Sequence, residues 1–225
     1  MCLKSINHSI PDLLLETMNM VPHNQGVILM MRHSVRFSVE DVNDESMVTL
    51  TPDGIRLAEE LGALLPWSLG KIVSSPVNRC LETGNALARG AKVTSQSTPD
   101  KMLGATLLYS DNKLGNSTFN KLKTVAVVDG ILSGKPLPGI HDATKICCIL
   151  LNRFFETPPN LGKINTFITH NGILAPFVYY LLGEKGYDFD KCPSFLEGVF
   201  LWGNRDQTYF AWRGKVHEVP KVLRI

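Results

Sequence analysis

Three short clusters in the 225-residue sequence carry side chains able to do chemistry together: Arg32-His33-Ser34-Val35-Arg36, Ser74-Ser75-Pro76-Val77-Asn78-Arg79 and Thr169-His170-Asn171-Gly172. Each follows an apolar run that reads as a buried strand. Open α/β sheets gather ligands at the carboxyl ends of their strands, so the three clusters are expected to share one pocket. Two imidazoles and three guanidiniums in one place repel one another unless an anion pairs with them. Phosphate meets that requirement, because a planar guanidinium binds its oxygens two at a time. Helices expected after Pro76 and after His170 direct backbone N–H groups at the same point. An imidazole among such donors can attack phosphorus while the arginines offset charge in the transition state. One acid must still protonate the leaving oxygen.

Periodicity shows which elements must position these clusters. Val27 to Met31 is a continuous apolar run, the pattern of a strand buried on both faces. Thr51-Pro52-Asp53-Gly54 opens a helix through IRLAEELGALL, with a capping threonine and a first-turn proline. Lys71 to Val73 makes a second strand. Ser75-Pro76 reads as the cap and first-turn proline of a helix running to about Arg89, with Gly90 as its stop. Thr124 to Val128 and Asn165 to Ile168 read as further strands, separated by a helix from about Ala143 to Phe155, and a helix over Ile173 to Leu182 follows. Gly198 to Trp202, Thr208 to Trp212 and Val216 to Val219 read as strands finishing the sheet in an antiparallel edge. The N-terminal stretch contributes a short helix. The alternation predicts a three-layer α/β/α sandwich on a mainly parallel central sheet, a single domain over 1–225. The segment from about Ala91 to His141, punctuated by glycine and proline, is expected to be an insertion or lid.

Composition excludes several classes. Lys plus Arg number 23 against 21 Asp plus Glu, a net charge of +2, and the basic residues are scattered, so neither nucleic acid nor an anionic membrane is an expected partner. Apolar stretches such as Ile146 to Leu151 fall far short of the ~20 residues that span a bilayer. Five cysteines (Cys2, Cys80, Cys147, Cys148, Cys192), with no C-x-x-C spacing, argue against a disulfide framework or a zinc knuckle and suit a reducing cytoplasm. A metal site from His33, His170 and the His141-Asp142 pair is disfavoured by the arginines, which repel a cation. No P-loop, dinucleotide-binding glycine motif or G-x-S-x-G elbow is present.

Taken in order, the motifs resemble those of the histidine phosphatase (phosphoglycerate mutase-like) superfamily. Arg32-His33-Ser34 is similar to its R-H-G signature, LTPDGIRLAEELGALL to its next helix, SSPVNRCLETGNAL to its S-S-P-x-x-R-x-x-x-T-A block, and ITHNG to its second-histidine motif. The resemblance implies a phosphoglycerate mutase-like fold. It implies that His33 is phosphorylated during turnover, that Arg32 and Arg79 bind the phosphate, and that His170 hydrogen-bonds it. Arg36 resembles the additional phosphate-binding arginine of the acid-phosphatase branch.

Two positions depart from the pattern. Ser34 replaces the usual glycine, and Asn171 stands where the acid-phosphatase branch carries an aspartate as proton donor. An amide cannot supply that proton. Asp100-Lys101-Met102-Leu103-Gly104 resembles a shortened form of the mutase-like E-x-x-F-G, making Asp100 the expected acid, with Asp129 and Asp142 as competitors. The implied activity is a cofactor-independent phosphomonoesterase acting on a small phosphorylated metabolite. A phosphomutase and a catalytically weak phosphate-ester-binding protein are the alternatives.

Overall fold

The computed structural model describes residues 8–38 and 44–223. In chain order its elements are α1 (Asp12–Met18), β1 (Val27–Arg32), α2 (Pro52–Leu64), β2 (Ser68–Ser74), α3 (Asn78–Gly90), β3 (Thr98–Pro99), α4 (Asn112–Leu132), α5 (Ala143–Glu156), β4 (Lys163–Thr169), α6 (Asn171–Leu181), β5 (Gly198–Gly203), β6 (Thr208–Trp212) and β7 (Lys215–Glu218), joined by short 3-10 turns. The strands form one sheet in the order β3-β2-β4-β1-β5-β6-β7. Its first four strands run parallel, and β5, β6 and β7 continue it as antiparallel hairpins.

Strand β1 shows why the sheet needs cover on both sides. All six of its residues are buried, and alternate side chains enter opposite layers. Val27, Leu29 and Met31 pack with Leu14 of α1, Leu57 and Leu61 of α2 and Leu87 of α3. Ile28 and Met30 pack with Ile146 and Phe154 of α5, Phe177 of α6 and Val127 of α4. The result is the expected three-layer sandwich.

Local chemistry sets most boundaries. Thr51 accepts the Gly54 N–H at 3.0 Å to start α2, with Pro52 in the first turn. Asp142 accepts the Lys145 N–H at 2.7 Å to start α5. Three readings of the sequence need correction. Residues 124–128 form no strand; they belong to α4, which bends at Lys123 (φ 65°, ψ 169°) and then buries Val127, Val128, Ile131 and Leu132 at helical spacing. Helix α3 begins at Asn78 rather than at Pro76, with Val77 at the N-cap position and no side-chain cap. Gly90 does not stop α3 by a left-handed turn: it lies inside the helix, and a Cβ there would stand 1.8 Å from the Glu59 carbonyl oxygen of α2. Gly62 of α2 meets the Leu87 carbonyl oxygen in the same way, at 2.2 Å. The two helices therefore pack backbone against backbone.

Among the described residues no helix is long and apolar enough to cross a membrane.

Candidate active site

Strands β2, β4 and β1 are neighbours, so the turns leaving their carboxyl ends open together on one cleft of about 380 Å³. Arg32, His33, Arg36, Ser75, Arg79 and His170 all line it. The three polar clusters, far apart in sequence, meet there.

His33 is 3% exposed. Its Nδ1 lies 2.8 Å from the Ser34 carbonyl oxygen, which only accepts, so Nδ1 carries the proton and Nε2 keeps its lone pair. Arg79 donates its Nε–H to that lone pair at 3.3 Å. Burial holds the imidazole well below its usual pKa, and the charges of Arg32, His170 and Arg79 add to the effect; the Ser34 bond opposes it. The ring is accordingly neutral. Ser34, in place of glycine, does not adopt a left-handed backbone. Its N–H donates to Thr83 Oγ1 at 3.0 Å and its hydroxyl to the Gly54 carbonyl at 2.7 Å, tying the loop to α3 and α2.

His170 occupies the N-cap position of α6. Its Nδ1 lies 3.4 Å from Arg79 NH2 and its Nε2 3.1 Å from Ser75 Oγ, so the serine expected to cap α3 instead orients this ring. The two imidazole centroids are 5.5 Å apart. Burial, followed by the charges of Arg79, Arg32 and Arg36, lowers the pKa of His170 to about 3. Beside it, burial pushes the Cys80 thiol up to about 12, so it stays protonated and is no nucleophile.

Arg32 and Arg79 are both buried, and Arg79 also donates through NH1 to the Glu45 carbonyl oxygen. Burial lowers the pKa of Arg36 and of Arg79; for Arg36, the charges of Arg79 and Arg32 add to that. A dianion placed among the three guanidiniums would relieve their repulsion. The opening turns of α3 and α6 face the same cleft, lined by Val77, Arg79, Asn171 and Gly172.

The carboxylates singled out in the sequence are placed elsewhere. Asp100 does not line the cleft: Oδ1 accepts the Met102 N–H at 2.9 Å and Oδ2 pairs with Arg153 Nε at 2.8 Å. Asp129 accepts the Tyr187 N–H at 3.2 Å and stands 3.7 Å from Lys135. Asp142 caps α5, and with His141 it lines a separate cavity, which also removes the pair from any metal site with His33 and His170. Among the described residues no group of three or more His, Cys, Asp or Glu could hold a metal ion.

Among the described residues, the carboxylate residue that lines the cleft is Glu45, which sequence reasoning missed. Its charge favours the charged forms of Arg36 and Arg79. No motif marks Glu45. The signal available was its place in the sequence, between Arg36 of the first polar cluster and the helix-opening Thr51.

The segment read as an insertion supplies part of the cleft wall. Lys101, Thr106, Leu108, Phe119 and Thr124 line it, with Ile173 of α6. Thr169 Oγ1 donates to the Leu103 carbonyl at 2.6 Å and so ties this wall to the end of β4.

No family sequence model and no curated protein sequence matches the chain. Its fold does match solved structures. Phosphoglycerate mutase from Bacillus anthracis str. Sterne is 13% identical with a TM-score of 0.52, over 89% of this chain and 95% of that one. A mycobacterial glucosyl-3-phosphoglycerate phosphatase is 14% identical with a TM-score of 0.53, over 84% and 99%. Phosphoserine phosphatase from Entamoeba histolytica in complex with 3-phosphoglyceric acid is 16% identical with a TM-score of 0.51, over 78% and 89%. The chain therefore has the phosphoglycerate mutase-like fold, and its structural neighbours are members of the histidine phosphatase superfamily that the ordered motifs resemble.

Proposed function

We propose that the protein is a phosphomonoesterase working through a phosphohistidine at His33. One observation carries the reading: a buried, neutral imidazole, fixed through Nδ1, presents the Nε2 lone pair to a cleft that also holds Arg32, Arg36 and Arg79.

In the first half-reaction Nε2 attacks phosphorus, the bond from phosphorus to the ester oxygen breaks, and the leaving oxygen takes a proton from the Glu45 carboxyl. The arginines and the N–H groups opening α3 and α6 hold the three equatorial oxygens. In the second, water attacks the phosphohistidine and gives its proton to the Glu45 carboxylate. Inorganic phosphate leaves and His33 Nε2 is regenerated. The wall bearing Lys101, Thr106, Leu108 and Phe119 receives the alcohol, and structural neighbours that act on phosphoserine and glucosyl-3-phosphoglycerate are consistent with a small phosphorylated metabolite.

A second reading, binding without turnover, is favoured by one fact: Asp100 is already engaged by Arg153. The test is release of inorganic phosphate from a broad panel of phosphomonoesters with chelator present, comparing wild type with His33→Ala. Turnover by wild type, with a loss on the order of 10³-fold or more in the variant, supports the phosphohistidine route. Binding of esters with no phosphate released by either protein would sink it in favour of the second reading.

A further inference from the structure

Arg32 reaches the cleft from the end of β1, and one short segment grips it from behind. Its NH1 donates to the Pro193 carbonyl at 2.6 Å, and its Cζ stands 4.1 Å from the centre of the Phe195 ring. The same ring lies 5.6 Å from the His33 imidazole, and the Leu196 N–H donates to the His33 carbonyl at 3.4 Å. Residues 193–196 thus touch both the nucleophile and an arginine beside it.

This segment does not hold its shape unaided. Leu196 sits at φ +61°, a left-handed conformation that is strained for a non-glycine residue. What pins it is Glu197, a carboxylate only 4% exposed. Its Oε2 accepts the Ser194 N–H at 2.7 Å, and its own carbonyl accepts the Arg32 N–H at 2.9 Å. Arg213 then forks onto both carboxylate oxygens, Nε to Oε1 at 2.6 Å and NH2 to Oε2 at 3.1 Å. Arg213 itself comes from the two-residue turn between β6 and β7, where it and Gly214 have φ of +46° and +71°. Positive φ at both central residues is the signature of a type I′ hairpin, which fixes where the guanidinium starts.

A buried ion pair is poor value for stability, since apolar residues of the same volume often serve as well or better. A bidentate pair does fix orientation. We propose that Glu197, clamped by Arg213, is a positioning residue for phosphate binding: it shapes residues 193–196 so that Arg32 is presented to the anion in a single orientation. This rests on the reading of the cleft as a phosphate site.

The experiment is calorimetric titration of the full chain with inorganic phosphate, for wild type, Glu197→Gln, Arg32→Ala and the double variant. Leu150→Val, a core change in α5 on the other face of the sheet from Leu196, reports what loss of stability alone does. Glu197→Gln is expected to weaken phosphate about tenfold, while the double variant binds no more weakly than Arg32→Ala, because the effect travels through Arg32. Leu150→Val should leave affinity unchanged. If Glu197→Gln fails to fold, Arg213→Lys, which keeps the charge and loses the fork, takes its place in the same cycle. Wild-type affinity in folded Glu197→Gln, or the same further loss in the Arg32→Ala background, overturns the proposal. If wild type itself binds no phosphate, the functional reading fails first, a result distinct from either.

Discussion

Arg79 donates its Nε–H to Nε2 of His33 at 3.3 Å, and through NH2 it also reaches Nδ1 of His170 at 3.4 Å. The nitrogen proposed to attack phosphorus is already the acceptor of an arginine proposed to hold the phosphate. Substrate binding has to exchange N–H···N bonds for N–H···O bonds, and the fork of a guanidinium makes both sets with one side chain. Arg79→Lys keeps the charge and loses the fork, so kcat/KM for the best ester should fall roughly 10²-fold. Steady-state kinetics on the purified variant decides it; a change under threefold would mean that charge alone suffices.

The two histidines make the fold sensitive to acid. Both have pKa values depressed below 6.5 in the folded protein, His170 to about 3. The unfolded chain takes up protons at these positions below pH 6.5 while the folded one does not. Stability is therefore unaffected by them above that pH and falls as pH drops, by about 1.4 kcal/mol per unit for each histidine held neutral. Urea midpoints between pH 7 and pH 4.5 should decline, and His170→Asn should decline less steeply. Identical slopes would show that the imidazole charges readily in place. Catalysis by neutral His33, facing Arg32, Arg79 and His170, should persist to a pH well below 6.5.

Glu45 as proton donor predicts a dependence on the leaving group. General acid assistance contributes about 10²–10⁴-fold when the leaving alkoxide is strongly basic, and little when it is a stabilised phenolate. Glu45→Gln should lose about 10²-fold or more on alkyl phosphates and under about tenfold on p-nitrophenyl phosphate. Equal losses on both substrates would remove the role.

Asp100→Asn offers the complementary result. The carboxylate is engaged with Arg153 outside the cleft, and Arg153 is 40% exposed, so the pair contributes at most about 1 kcal/mol. The variant should keep kcat/KM within about threefold on alkyl esters while its thermal midpoint drops slightly. A loss as deep as that of His33→Ala would return the acid role to Asp100.

The sequence was most legible where the determinants are local. The buried run Val27 to Met31, the Thr51-Pro52 helix start and the three polar clusters at strand ends all rest on neighbours in the chain, and all stand as read. The run from Thr124 to Val128 failed because its valines and threonine suit a pleated strand on propensity, while packing of Val128 and Leu132 with Ala175 and Tyr179 of α6 decides for helix. Asp100 was misplaced for a different reason. The spacing to Gly104 says nothing about where the carboxylate points, and Arg153, which turns it away, lies 53 residues on. Nor could the sequence disclose the Ser75 bond to His170, a contact across 95 positions.

The contact of α2 with α3 at Gly62 and Gly90 reaches further than the core. Helix α2 is tied to the His33 loop through Gly54 and Ser34, and α3 carries Arg79. The gap between nucleophile and arginine is therefore gauged by how closely two helix backbones can approach, and that approach depends on two missing methyl groups. An alanine at either glycine would act as a shim, spreading the helices and loosening the grip on an anion some distance away. The fineness of the site is thus machined partly into positions that never face it.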